Sequence, residues 1–255
     1  MQLQNGEVIH YRLIAGNDTQ PYLVFLHEGL GCIAMWKDFP DRLCRMTNCP
    51  GLVYDRAGYG KSSPLNRTLT VHFLHEYALN ELPEILEKVF PDKEYLLIGH
   101  SDGGSISLIF AAEKPSLLKA VITEAAHVFV EPETIKEIKA AKSAYEKGQL
   151  RGLYKYHGEK TDFLFKAWVD AWLSARFRFW NIEYLLPSIE CPLLVLQGKQ
   201  DRYGTFRQVE SIVAKSSGDA VPVFVENCGH APHLEQPETV LQILTEYIGK
   251  LSQET

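Results

Sequence analysis

Residues 94–104, read Glu-Tyr-Leu-Leu-Ile-Gly-His-Ser-Asp-Gly-Gly, constrain the fold of this chain more than any other stretch. Residues 95–98 are a short apolar run of the kind that forms a strand buried on both faces. The run leads into Gly99-His100-Ser101-Asp102-Gly103, a Gly-x-Ser-x-Gly pattern. A helix is expected over 105–112, with Ile106, Leu108 and Ile109 as its apolar contacts. Strand, tight turn and helix around such a serine make a nucleophile elbow. There Ser101 takes a strained backbone angle that lifts its hydroxyl off the sheet. Side chains at 99 and 103 would collide with the neighbouring strand and helix.

Strands and helices alternate around the elbow. Strands are expected over 6–14, 22–26, 51–54, 118–123, 192–197 and 221–225. Val71, Leu74, Ala78, Leu82, Ile85 and Val89 recur at three- and four-residue steps, which predicts one amphipathic helix over 70–90, bent at Pro83. Further helices are expected over 36–46, 205–216 and 237–251. Such alternation means a mainly parallel sheet with helices on both faces. It stops between 130 and 187, where a charged helix over 132–147 precedes a span holding three of the four Trp residues. A segment that long is a cap with its own packing, not a connection.

At 255 residues the chain is long enough for one large α/β domain. A net charge of −6 leaves no excess of Lys and Arg to meet phosphates, so nucleic acid is not an expected partner. No apolar run approaches the ~20 residues of a membrane span, and the first residues carry no signal-peptide pattern. Five scattered cysteines, an odd number without metal-ligand spacing, read as reduced thiols of a cytoplasmic protein.

A serine hydroxyl needs a base within hydrogen-bond reach, and the base needs an acceptor that fixes its tautomer. His230, in Asn227-Cys228-Gly229-His230, follows the last strand and is the expected base; His233 is the spare. Asp201, just past the penultimate strand, is the expected acceptor, with Glu124 as its competitor. The order Ser, Asp, His, each after a strand, brings three distant residues to one sheet edge. The oxyanion needs two preorganised donors. The backbone N–H of Asp102 is one; Gly29, with Leu30 as second choice, supplies the other from His27-Glu28-Gly29-Leu30-Gly31.

With those residues in view, the chain resembles the α/β-hydrolase superfamily over nearly its whole length. The matching motifs are the glycine loop at 27–31, Asp55-Arg56-Ala57-Gly58-Tyr59-Gly60-Lys61-Ser62, the elbow, Gly198 to Asp201 and Gly229-His230. The resemblance implies a mainly parallel eight-stranded sheet with a helical cap inserted after strand 6, giving a core of 1–129 and 188–255 and a cap of 130–187. It implies an acyl-enzyme hydrolase using Ser101, His230 and Asp201, with no metal or organic cofactor. It is similar to capped small-molecule esterases and to carbon–carbon bond hydrolases of aromatic ring-fission products. A ligand receptor on the same fold is the third reading. Serine at the elbow sets it apart from haloalkane dehalogenases and most epoxide hydrolases of this fold, which use aspartate.

Glu28 stands where many relatives carry glycine, and a carboxylate there would oppose the oxyanion. Glu28, Leu30, His100, His127, Trp168, Trp172, Trp180 and Asn181 are expected to line the substrate pocket. The expected substrate is a small, partly apolar, aromatic ester bound by a monomer or homodimer. A ring-fission acid would call instead for a cation in the pocket, Arg176 or Arg178.

Overall fold

The computed structural model describes residues 1–251. One sheet holds β1 (Tyr11–Ile14), β2 (Tyr22–Leu26), β3 (Gly51–Tyr54), β4 (Tyr95–His100), β5 (Leu118–Glu124), β6 (Leu193–Gly198) and β7 (Ala220–Val225). The spatial order is β1-β3-β2-β4-β5-β6-β7. β1 runs antiparallel to β3, and every other pairing is parallel. The sheet therefore has seven strands among the described residues, not the eight expected. Near the start of the chain, Gln2 and Val8 make only a single antiparallel bridge. The chain reverses between them at Gly6, whose φ is +86°.

The helices are α1 (Phe39–Thr47), α2 (Phe73–Glu76), α3 (Leu82–Val89), α4 (Asp102–Ala111), α5 (Pro132–Glu146), α6 (Tyr154–His157), α7 (Thr161–Leu173), α8 (Phe206–Lys215), α9 (Pro232–Glu235) and α10 (Pro237–Leu251). Strand alternation splits the core into two layers. Leu23, Phe25, Leu96, Ile98, Ile122, Leu194 and Leu196 pack against α1 and α10. Val24, Leu26, Leu97, Val121, Leu193 and Val195 face the layer that holds α3, α4 and α8. Each such fully buried side chain contributes roughly 1.5–3 kcal/mol.

The helix expected over 70–90 is broken in two. A π-helical turn, Tyr77–Glu81, separates α2 from α3. Pro83 has no N–H to give the carbonyl four residues back, so the ladder widens one turn before it.

Register decides where the functional loops emerge. Leu26 lies opposite Gly99, His100 opposite Glu124, and Glu124 opposite Leu196. The loops after β2, β4, β5 and β6 thus start level along the carboxyl edge of the sheet. The helices α5, α6 and α7 enter between β5 and β6, so the insertion follows the fifth strand of this sheet, not the sixth. α5 and α7 pack on each other, with Tyr145 stacked on Phe165 at 3.8 Å. Among the described residues no helix is long and apolar enough to cross a membrane.

Candidate active site

Ser101 occupies the turn between β4 and α4 with φ 53° and ψ −115°, a region L-residues rarely adopt. The steric argument for its glycines holds in detail. A Cβ on Gly99 would lie 2.3 Å from the Gly103 carbonyl oxygen, and one on Gly103 would lie 2.0 Å from that of Leu26. The elbow therefore wedges α4 against the ends of β2 and β4.

His230 Nε2 lies 3.0 Å from Ser101 Oγ, and His230 Nδ1 lies 2.9 and 3.0 Å from the two oxygens of Asp201. A carboxylate at Nδ1 fixes the proton there, which leaves Nε2 to accept from the serine hydroxyl. The Tyr203 N–H donates to Asp201 Oδ1 at 2.8 Å. Burial pushes the Asp201 carboxyl up, but its bonds from His230 and Tyr203 hold it below the ordinary carboxylate range. The expected alternates find each other instead. His233 donates its backbone N–H at 3.0 Å and Nδ1–H at 2.8 Å to Glu124, and it is His230 that bonds to the Ser101 hydroxyl.

Gly29, Leu30 and Asp102 carry backbone N–H groups that no carbonyl or side chain takes up among the described residues. Leu30 stands at φ 62°. Sequence reasoning assigned no role to Arg56, which proves to grip this loop. Fully buried, it donates to the carbonyls of His27 and Glu28, the latter at 3.1 Å, and lies over the Tyr59 ring at 4.7 Å. In a trans peptide the C=O and N–H point opposite ways. Holding the Glu28 carbonyl therefore aims the Gly29 N–H away from Arg56. An arginine following β3, with a tyrosine three residues on, was the available signal.

A cavity of about 540 Å³ opens over Ser101, between the sheet edge and the face of α5 that carries Ile138, Ala141 and Ala144. Of the residues expected in the pocket, Glu28, Leu30, His100, His127, Trp168 and Trp172 line it. Trp180 and Asn181 do not. Trp180 stacks on Phe177 at 5.4 Å within the core, because its ring completes the packing beneath α7. Asn181 is exposed, its side chain bonded to Glu183. Arg176 and Arg178 also lie outside the cavity lining. Glu28, Asp102 and Glu137 line the cavity, with no Lys or Arg among the described residues that do. Burial raises the Asp102 carboxyl to about 6, with Arg56 pulling the other way at 3.9 Å. His127 is held neutral: burial, then the charge of His230, lowers it to about 4. Among the described residues no cluster of His, Cys, Asp and Glu is arranged to hold a metal ion.

A model of the alpha/beta hydrolase family matches residues 23–243. Serine hydrolase BPHL of Mus musculus is 30% identical over 161 residues, which cover 59% of this chain and 53% of that protein. The match thus spans about half that relative's length. Monoglyceride lipase of Mus musculus is 24% identical over 265 residues, 95% of this chain and 86% of that one. The solved esterase EaEST from Exiguobacterium antarcticum superposes with a TM-score of 0.75 at 21% identity, covering 98% of both chains. That last likeness is one of fold.

Proposed function

This chain belongs to the α/β-hydrolase family, and from that premise we propose that it cleaves a small, partly apolar carboxylic ester through an acyl-enzyme. The observation that carries the reading is the unbroken hydrogen-bond chain from Asp201 through His230 to Ser101. Ser101 Oγ attacks the ester carbonyl while His230 Nε2 takes its proton. The oxyanion receives the N–H groups of Gly29 and Asp102. Collapse expels the alkoxide, which leaves with the proton from His230 as the alcohol. Water then attacks the acyl carbon, His230 takes its proton and returns it to Ser101, and the acid departs. Asp201 remains ionised and stabilises the imidazolium at each stage. The helices of 130–187 act as the cap that shields this site.

Charge narrows the substrate. The cavity carries Glu28, Asp102 and Glu137 and, among the described residues, no Lys or Arg, and its His100 ring already faces Glu28, so a neutral or cationic substrate is favoured over an anionic one. That favours an ester over a ring-fission acid, whose carboxylate would find no Lys or Arg among those residues. The likeness to monoglyceride lipase supports ester cleavage. All five cysteines are free thiols, which supports a reducing, cytoplasmic setting.

Labelling with a fluorophosphonate probe tests the reading, with mass spectrometry to locate the adduct. We expect an adduct on Ser101 that is absent in Ser101→Ala and strongly slowed in His230→Ala. Labelling that persists in Ser101→Ala would overturn it.

A further inference from the structure

Glu28 presents a problem that the proposed mechanism leaves open. Its carboxylate belongs to the loop that carries the Gly29 donor, where negative charge opposes an oxyanion. The carboxylate folds back against Gly31, where a Cβ would lie 2.4 Å from its carbon and one of its oxygens. Among the described residues its carboxylate accepts no hydrogen bond; the group facing it is the His100 ring, whose buried Nδ1 has no hydrogen-bond partner and lies 3.4 Å from Oε2, at ion-pair distance. The other nitrogen of that ring, Nε2, lies 2.7 Å from the backbone carbonyl of His230. His100 is 2% exposed and directly precedes Ser101.

We propose that His100 is a positioning residue which, as an imidazolium, ties the oxyanion loop to the general-base loop by pairing with Glu28 on one side and the His230 carbonyl on the other. The inference rests on the serine-hydrolase reading above. With Glu28 ionised, both neighbours are acceptors, so both ring nitrogens carry protons. A neutral ring bearing its proton on Nε2 would set a lone pair against the Glu28 carboxylate. A neutral ring bearing it on Nδ1 would set a lone pair against the His230 carbonyl. Only the cation serves both loops.

The surroundings agree. The groups facing His100 are Glu28 from the oxyanion loop, Glu124 from the end of β5, His233 from α9, the His230 ring and Asp102 from α4. Glu124 is already occupied by His233, which leaves Glu28 as the carboxylate available to the imidazolium. Burial works against a charged His100, yet Glu28 and then Glu124 raise its pKa above the ordinary imidazole value. Burial likewise pushes Glu28 up, and His100 more than reverses it, holding the carboxyl at about 2. The pair is neutral overall. The charge that Glu28 would bring to the oxyanion loop is cancelled by the residue that locks the loop in place.

The consequence is an alkaline limb set by the bridge rather than by chemistry. As pH rises through the raised pKa, His100 loses one proton, one arm of the bridge breaks, and the two loops lose their fixed separation. Misplacement of about an ångström at such a site costs up to about 100-fold.

The test is the second-order rate of fluorophosphonate labelling of Ser101 against pH. It is measured in wild type, Glu28→Gln, His100→Gln and the double variant, with thermal melts to confirm folding. We expect Glu28→Gln to move the alkaline limb down by about one pH unit or more, the shift that follows from losing an ion-pair partner. His100→Gln should abolish the limb and slow labelling about 10- to 100-fold. The double variant should be no slower than His100→Gln. Limbs that coincide in wild type and Glu28→Gln would overturn the proposal, as would fully additive losses. Labelling in Ser101→Ala would instead sink the serine-hydrolase reading itself. Should the variants fail to fold, the ring nitrogen shifts of His100 in wild type decide. The cation's pattern well above pH 6.5 supports the bridge. A neutral ring there removes it.

Discussion

His230 and His233 stand three residues apart, and each pairs with a carboxylate brought from the end of a strand. Chemically the two pairs are alike. They differ in what lies beyond the second ring nitrogen. The His230 side chain is 21% exposed and its Nε2 faces Ser101 at 3.0 Å. The His233 side chain is 2% exposed, its ring 4.3 Å from Trp36 and 5.6 Å from Phe39. A histidine and a carboxylate make a base only where a nucleophile and a cavity wait on the far side. Walled in by aromatic rings, the same pair becomes a buried tie between α9 and β5.

That contrast is broken most sharply at the carboxylates. Asp201→Asn should lower kcat about 10⁴-fold with the fold intact, because an amide leaves His230 in the wrong tautomer. Glu124→Gln should leave kcat within about threefold and lower stability by about 1–3 kcal/mol, the cost of weakening a buried bond. Steady-state kinetics and thermal melts on both variants read the difference. Equal losses of kcat would show that the two pairs work as one unit.

Acid should separate the buried groups further. Asp201 and Glu124 both titrate below the ordinary carboxylate value, so their contribution to stability is present above about pH 4 and lost below it. His127 acts earlier. Its folded pKa is depressed to about 4 against about 6.5 unfolded, so its contribution is full above pH 6.5 and lost as pH falls toward 4. At about 1.4 kcal/mol per unit that is about 3 kcal/mol. Thermal melts across this range should show a flatter pH dependence for His127→Gln than for wild type. Identical slopes would mean that His127 accepts its proton in the folded state.

Much of the site was legible because elbow chemistry is local. Gly99, Ser101 and Gly103 sit in one turn, and the order of Ser101, Asp201 and His230 follows from strands that end on one edge. The sheet was legible too, since strands buried on both faces read as unbroken apolar runs. The seven apolar runs read along the chain match its seven strands, and the eighth was implied only by the family resemblance. The grip of Arg56 left only a faint signal, an arginine after β3 with a tyrosine three residues on, and the link from His100 to Glu28 left none. Both depend on contacts that loops after β2 and β3 make with neighbouring elements, brought together by register. Trp168, Trp172 and Trp180 show the same limit. All three are aromatic and buried, and only the turn after α7 decides which of them meets the cavity.

That last trio gives the finest form of the comparison between a working side chain and a walled-in one. Trp168 lines the cavity, and its Nε1–H has no partner among the described residues; a Cβ on Gly29 would lie 2.4 Å from it. The donor is therefore beside the oxyanion loop, where a bound ester presents oxygen. Trp180 also has a buried indole N–H without a partner, but its ring lies stacked against Phe177 and lines no part of the cavity. Trp168→Phe keeps an aromatic ring and removes the donor, so KM for a small p-nitrophenyl ester should rise about three- to tenfold. That is the ~0.5–1.5 kcal/mol of one hydrogen bond, with kcat little changed. Trp180→Phe should leave both constants alone and register only as a lower melting temperature. A KM effect at Trp180 equal to that at Trp168 would mean that packing under the cap shapes the cavity as much as direct contact does. The distinction between the two tryptophans would then fall.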